Sequence, residues 1–265
     1  MNRNDYEMIW KRKSFHTFRN VGEETITDDE IEEIQKTYEE LDSLHPEIRT
    51  AIRIVPAEKT SCRRDEEYCI LMFSENKDGY LQNIGYLGEQ LDLFLVSRNI
   101  GTLWFGIGRT EEKPVDGMEF VIMIAIRKIS DQAKFRKDMF KSKRKPVGEI
   151  WEGEQIPGVT EIVRFAPSAC NTQPWFVRNA EGKLSVYRYK KEGKRGIMPA
   201  DMVSYYNRID MGIFLCFLEI CLEKNGTDYA RTLSSNEGGN GELTLNAEYQ
   251  LDGSIPVSMV ESINV

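Results

Sequence analysis

Two long apolar helical stretches stand about half a chain apart in this sequence of 265 residues, and that spacing restricts its fold more than any other feature. Residues 80–98 carry Leu81, Ile84, Leu87, Leu91 and Leu95 on one helical face and stop at Asn99-Ile100-Gly101, where glycine suits a helix terminus. Residues 208–223 form the second stretch. Short echoes accompany the pair. Asn83-Ile84-Gly85 returns as Asp210-Met211-Gly212, displaced by 127, and Gly101-Thr102 returns as Gly226-Thr227, displaced by 125. Lys11-Arg12-Lys13-Ser14 has a counterpart in Lys143-Arg144-Lys145-Pro146, displaced by 132. The three echoes share one order, which predicts an internal duplication.

The remaining pattern is that of an α+β chain. Residues 4–12 space Tyr6, Ile9 and Trp10 as a short helix ending in basic residues. Thr27-Asp28-Asp29-Glu30 is a capping-box signature, and Ile31, Ile34, Tyr38 and Leu41 then predict a helix that runs to about Leu44, before Pro46. Residues 67–73 are β-prone and close in a polar loop at 74–79. Phe120 to Ile126 is a continuous apolar run, expected as a strand covered on both faces. Residues 127–145 are strongly basic and end at Pro146, which reads as a solvated junction between halves. The expected organisation is therefore residues 1–140 and residues 141–265, each a mixed β-sheet flanked by helices.

A net charge of −8 argues against a nucleic-acid partner, which would need a net basic surface. No stretch approaches the roughly 18 apolar residues of a membrane span, so no membrane partner and a cytoplasmic location are expected. The five cysteines, Cys62, Cys69, Cys170, Cys216 and Cys221, include no Cys-x-x-Cys pair, and the chain has only two histidines. Neither a disulfide framework nor a metal centre is expected on that pattern.

The segment with most chemical content is Ala166-Pro167-Ser168-Ala169-Cys170-Asn171-Thr172-Gln173-Pro174-Trp175. It sets turn residues and two carboxamides beside a Pro-Trp pair. With Arg12-Lys13-Ser14-Phe15-His16, with Gly101-Thr102-Leu103-Trp104-Phe105-Gly106 and with the basic stretch from Lys143 to Ile150, it resembles the flavin-binding nitroreductase superfamily, and in particular its single-chain members with fused halves. In ordinary relatives the Ala-Pro-Ser segment follows the basic motif by a few dozen residues. Here it lies more than half a chain downstream, and residues 45–60, where it would be expected, lack it.

The resemblance implies a flavin mononucleotide (FMN) site at an internal interface, with the fused halves acting as a pseudo-dimer and the chain as a monomer. Arg12, Lys13, Ser14, His16, Lys143 and Arg144 would face the phosphate, since guanidinium, ammonium and hydroxyl donors suit it. His16 stands where many relatives carry arginine or lysine. Pro167, Ser168, Ala169, Asn171 and Gln173 would meet the ring edge, whose donors and acceptors carboxamides can match. Thr102, Trp104 and Gly106 would lie beside the ring, and Lys77 is a further candidate to reach it. Cys170 reads as a packing residue and His45 as structural. The implied activity is oxidoreduction. NAD(P)H, the co-substrate, gives hydride to flavin N5, and a nitroaromatic or quinone-like small molecule then takes two electrons. No catalytic side chain is required. A flavin-binding sensor or storage protein would use the same residues.

Overall fold

The fold was obtained as a computed structural model that describes residues 5–137, 143–190, 193–234, 239 and 241–252. The sequence boundary at 140/141 lies outside the described residues. Helix α1 spans Asp5–Lys11 and α2 spans Asp28–Glu39. The capping box forms as its residue types require: the Thr27 hydroxyl accepts the Glu30 N–H at 3.2 Å and the Glu30 carboxylate accepts the Thr27 N–H at 3.0 Å. Helix α2 stops five residues before the expected Leu44. The backbone N–H groups of Leu44 and His45 are instead taken by the Asn83 side-chain oxygen, at 2.9 and 3.2 Å. A tertiary acceptor has outcompeted continuation of the helix.

Strands β1 (Thr50–Pro56), β2 (Tyr68–Ser74), β3 (Ile100–Phe105) and β4 (Glu119–Lys128) form a sheet in the order β1-β2-β4-β3, with α3 (Tyr80–Ser97) between β2 and β3 in the chain. The strands pair antiparallel, and Ser14 bridges Thr102 of β3 in parallel at the edge of the sheet. The apolar run lies in β4, inside the sheet. Ile122, Ile124 and Ile126 enter the main core with α3, while Met123 and Ala125 point into a second core with Phe15, Phe18 and Leu103. Burial of both faces removes any need for alternation.

The second half comprises α4 (Val147–Ile150), β5 (Trp151–Gly153), α5 (Thr160–Val163), β6 (Trp175–Ala180), β7 (Lys183–Tyr189), α6 (Val203–Lys224), β8 (Tyr229–Leu233) and β9 (Leu243–Leu251). Its sheet runs β5-β6-β7-β9-β8, with only β5 parallel to its neighbour. Without β5 the order repeats that of the first sheet. The bulges repeat too: β4 leaves Val121 unpaired opposite β2, and β9 leaves Asn246 unpaired opposite β7, a displacement of 125.

Helices α3 and α6 cross where both carry glycine. A Cβ on Gly85 would lie 2.0 Å from the Ile209 carbonyl oxygen, and one on Gly212 would lie 1.8 Å from that of Gln82. Each glycine thus meets the residue three positions before the other, a reciprocal contact of the kind a two-fold axis produces. The Asn83/Asp210 echo marks this crossing. The other echoes need correction. Asn99 (φ 59) and Gly226 (φ 71), displaced by 127, are the left-handed residues after α3 and α6, so the Gly101/Gly226 match is two residues out of register. Lys11 closes α1 whereas Lys143 precedes α4, so that echo has no structural counterpart.

A methyl group at the crossing has nowhere to go. Gly85→Ala and Gly212→Ala are each expected to lower unfolding free energy by about 3 kcal/mol, the upper range for overpacking, read from urea midpoints. Gly148→Ala, where a Cβ meets nothing within 4 Å, is expected to stay within about 0.5 kcal/mol. Equal midpoints for the three variants would contradict the close crossing.

Candidate functional site

The C-terminal end of α1, one turn of α3 and the strand after it are held together by one carboxylate. Asp92, fully buried on α3, accepts from Arg12 Nε at 2.8 Å, from the Thr102 hydroxyl at 2.6 Å and from Trp104 Nε1 at 3.0 Å. Arg12 also lies 3.1 Å from Glu89. Burial pushes the Glu89 carboxyl well above the usual carboxylate range, although Arg12 opposes the shift. Arg12 is thus held between two buried acidic side chains. Arg12 therefore contributes less free charge to its surroundings than its sequence motif suggests.

Beside this group lies a cavity of about 680 Å³, between the two halves of the chain. The first half contributes Arg12, Lys13, Ser14, His16, Trp104 and Gly106 to its wall, and the second half contributes Arg144, Pro167, Ser168, Ala169 and Asn171. The two motifs identified in the sequence thus meet. Segment 12–16 is fixed by a hydrogen bond from the Phe15 N–H to the Thr102 carbonyl at 2.9 Å, and Lys13 donates to the Lys134 carbonyl at 2.9 Å. The opposite turn is wound tightly. Cys170, Asn171 and Gln173 adopt φ of 48°, 54° and 45°, values that non-glycine residues hold only when their surroundings enforce them.

Asp210 on α6 supplies part of that enforcement. It accepts the Ala169 N–H at 2.8 Å, the Asn207 amide at 2.9 Å and the Thr172 hydroxyl at 3.3 Å. The carboxamides supply the rest. Asn171 donates to the Lys143 carbonyl at 2.9 Å and accepts from Arg144 at 2.7 Å, and Gln173 accepts the Lys145 N–H at 2.7 Å. Tyr206 closes the wall by donating to the Gly106 carbonyl at 2.5 Å.

Four residues proposed from the sequence are not on the cavity wall. Thr102 is buried behind it, with its hydroxyl on Asp92. Gln173 is turned to Lys145, Lys143 contributes its carbonyl to Asn171, and Lys77 pairs with Glu75 at 2.7 Å in the loop before α3. The wall also has members that no motif marked, among them Arg64, Arg136, Tyr206 and Asp210. Arg136 lies in the basic run read as a solvated junction; its N–H donates to the Lys11 carbonyl at 3.1 Å, which brings the run against segment 12–16. Asp210 lies in the echo that marks the helix crossing.

The wall is cationic. Lys13, Arg64, Arg136 and Arg144 face Asp210 as the acid among its lining residues. Burial lowers the Arg144 guanidinium to about 10, and repulsion from Arg12, Arg136 and Arg164 adds to it. Arg144 Nε is buried without a partner. Such a cluster fits an anion, which would relieve the repulsion. On the other half, Glu219 of α6 stands 127 residues after Asp92, and Tyr229 and Arg231 stand 127 after Thr102 and Trp104. There the carboxylate accepts from Tyr86 at 2.7 Å, Arg231 at 2.7 Å, Tyr249 at 2.6 Å and Tyr229 at 3.2 Å. Where the first half has a threonine and a tryptophan, the second thus has a tyrosine and an arginine.

The family described as "Putative TM nitroreductase" matches residues 4–221. A putative nitroreductase from Thermotoga maritima MSB8 has a similar structure, with a TM-score of 0.59 at 20% identity over 95% of this chain and 94% of its own. A nitroreductase family protein from Clostridium novyi NT aligns with 51% of this chain and 88% of its own, at 18% identity and a TM-score of 0.39. A putative nitroreductase from Desulfovibrio desulfuricans, solved in complex with FMN, aligns with 59% of this chain and 100% of its own, at 16% identity and a TM-score of 0.43. No curated protein matches. No described helix is long and apolar enough to cross a membrane.

Asp210 gives the site a pH signature. Burial pushes its carboxyl up to about 7, against the lowering effect of its three hydrogen bonds. A carboxyl raised in this way keeps its proton in the folded chain after the unfolded chain has released it, so stability falls as pH rises from roughly 4 to 7. Relative to Asp210→Asn, the wild type is expected to lose about 2–3 kcal/mol between pH 5 and 7 and nothing further above pH 8, measured by urea unfolding. A difference that does not vary with pH would contradict this.

Proposed function

Because the chain belongs to the putative TM nitroreductase family, we propose that it is an FMN-dependent oxidoreductase with one composite flavin site between two fused half-repeats, residues 1–140 and 141–265. The observation that carries the reading is the cavity itself. It joins a basic segment of the first half to the Pro-Ser-Ala-Cys-Asn turn of the second, and its volume lies within the roughly 300–1,000 Å³ of cofactor-sized pockets. The repeated strand order, the matched bulges and the reciprocal glycine crossing support the reading of the halves as a pseudo-dimer. Such a chain buries internally the surface that separate subunits would share, which favours a monomer. The second half, with Tyr229 and Arg231 at the positions of Thr102 and Trp104, lacks a counterpart of the basic segment 12–16, which favours one site rather than two.

The flavin, when bound, would supply the redox chemistry, taking hydride from NADH or NADPH and passing two electrons to a nitroaromatic or quinone-like acceptor. The protein's part is binding, orientation and exclusion of water. Arg144, Arg136 and Lys13 would hold the phosphate. Ser14 adds a hydroxyl. The backbone of residues 167–171, set by Asp210, would lie against the ring edge, and Trp104, fixed by Asp92, would wall the cavity behind it. Ile107 and Ile197 line the cavity yet are 48% and 69% exposed, so they would form an apolar mouth at which the acceptor enters.

Anaerobic titration tests the proposal. The purified chain is expected to bind one FMN, to bleach with NADH or NADPH, and to regain colour when a quinone or nitroaromatic is added. Binding without bleaching would indicate a sensor, and two flavins per chain would contradict the composite site. Arg144→Ala is expected to weaken FMN by about 10–100-fold, the worth of a charge-assisted hydrogen bond, while leaving riboflavin, which lacks the phosphate, nearly unaffected. Equal losses for the two ligands would remove Arg144 from the phosphate.

A further inference from the structure

We propose that Cys62, Glu66 and Cys69 form a buried zinc-binding site that ties the loop after β1 to the start of β2. The two sulfur atoms and a Glu66 carboxylate oxygen lie within 4.8 Å of one another. Exposure is 0% for both cysteines and 7% for Glu66, and the cysteines lie among Phe15, Phe18 and Leu71. A glutamate in such company needs a reason. Its Oε2 accepts the Arg64 N–H at 2.6 Å, but Oε1 is buried without any partner. A carboxylate oxygen removed from water and left unpaired is costly, and a cation between it and the two sulfurs would satisfy all three groups.

The donor set selects the ion. Calcium and magnesium require six or more oxygen ligands, whereas two thiolates with one carboxylate suit zinc, which accepts sulfur and oxygen together in four-coordinate sites. The chain offers three of the four ligands, and a water would supply the fourth. Charge also balances. Two thiolates and a carboxylate carry three negative charges, zinc returns two, and the Arg63 guanidinium, which donates to the carbonyls of Thr60 and Cys62, supplies the third. On binding, the thiol protons pass to solvent.

The local backbone brings these residues together. A turn closes from the Thr60 N–H to the Ala57 carbonyl at 3.1 Å, and the Cys62 N–H then donates to the Thr60 hydroxyl at 3.1 Å, which folds Cys62 back over Cys69. The spacing is Cys-x3-Glu-x2-Cys, so a search for Cys-x-x-Cys passes over it. The same loop carries Arg64, whose side chain lines the cavity and whose carbonyl accepts the Phe18 N–H at 2.8 Å. A metal here would brace the basic segment without touching the cavity, and it would do so with or without a flavin.

The test uses the full chain, reduced and stripped of metal with a chelator. Titration with zinc against a chromophoric competitor is expected to give one tight site per chain, and cobalt is expected to give a thiolate charge-transfer band that zinc abolishes. Alkylation mapped by mass spectrometry should slow by at least about tenfold at Cys62 and Cys69 alone when zinc is present. Cys62→Ser and Cys69→Ser should weaken zinc by about 100-fold or more and Glu66→Gln by about tenfold, on the scale of metal-ligand losses. The wild-type cobalt and alkylation measurements decide the matter even if a variant fails to fold. No charge-transfer band, with equal alkylation rates with and without zinc, would overturn the proposal, whether the thiols stay free or have joined as a disulfide.

Discussion

The crossing of α3 and α6 through Gly85 and Gly212 is the contact on which the placement of most other groups in this structure depends. With no side chain between them, the two backbones approach until a carbonyl of each helix occupies the space of the other's missing Cβ. That contact sets where every polar group on the two helices can reach. Asn83, two residues before the first glycine, turns back to hold residues 43–45, and Asp210, two before the second, holds the 169–172 turn. Tyr86, one residue after the first glycine, reaches across to Glu219 at 2.7 Å. A wider crossing would shift each of these groups relative to its partner by more than a hydrogen bond tolerates.

The crossing is nearly symmetric, and the surroundings of its two buried carboxylates are not. Asp92 and Glu219 occupy positions 127 apart on the two helices. Asp92 takes a guanidinium from the N-terminal segment, together with a hydroxyl and an indole from β3. Glu219 takes its guanidinium from β8 itself and surrounds it with three tyrosine hydroxyls. In the first case the arginine arrives on a chain segment that goes on to line a cavity. In the second, the arginine belongs to the strand itself and brings no further segment with it.

How far the sequence revealed this differs from element to element. The capping box of α2 and the apolar run of β4 are legible because each depends on a few adjacent residues. The helix crossing is legible too, through the Asn83/Asp210 echo, since a glycine that allows close approach must stay in register with its partner. The Gly101/Gly226 echo misleads for a related reason: the shared geometry is a left-handed backbone position, which Asn99 fills on one side and Gly226 on the other, so residue identity and structural role part company. The cavity is legible where a motif faces it. Thr102 and Gln173 belong to those motifs but serve the scaffold, and the direction of their side chains is set by Asp92 on the preceding helix and by Lys145 of another segment, neither of which lies in the same motif as its partner. Arg64 could not be read, because its place depends on a loop folded by Thr60 and Cys62.

The charge of the cavity shows why a motif and its function need not coincide residue by residue. Arg12 leads the basic motif, yet two buried carboxylates claim it, and desolvation of an unpaired guanidinium there would cost more than any exposed contact could return. Its role in the fold is to join α1 to α3. Cationic character toward the cavity then falls to residues whose charges are not cancelled in this way. Arg144 is the extreme case: it is partly buried, crowded by three other arginines and left with a free Nε. Arg144 and Arg136 both come from the stretch around 127–145, whose composition alone reads as a solvated junction. The fold draws that junction against segment 12–16, and there burial and repulsion among arginines that would be harmless in water lower the Arg144 guanidinium.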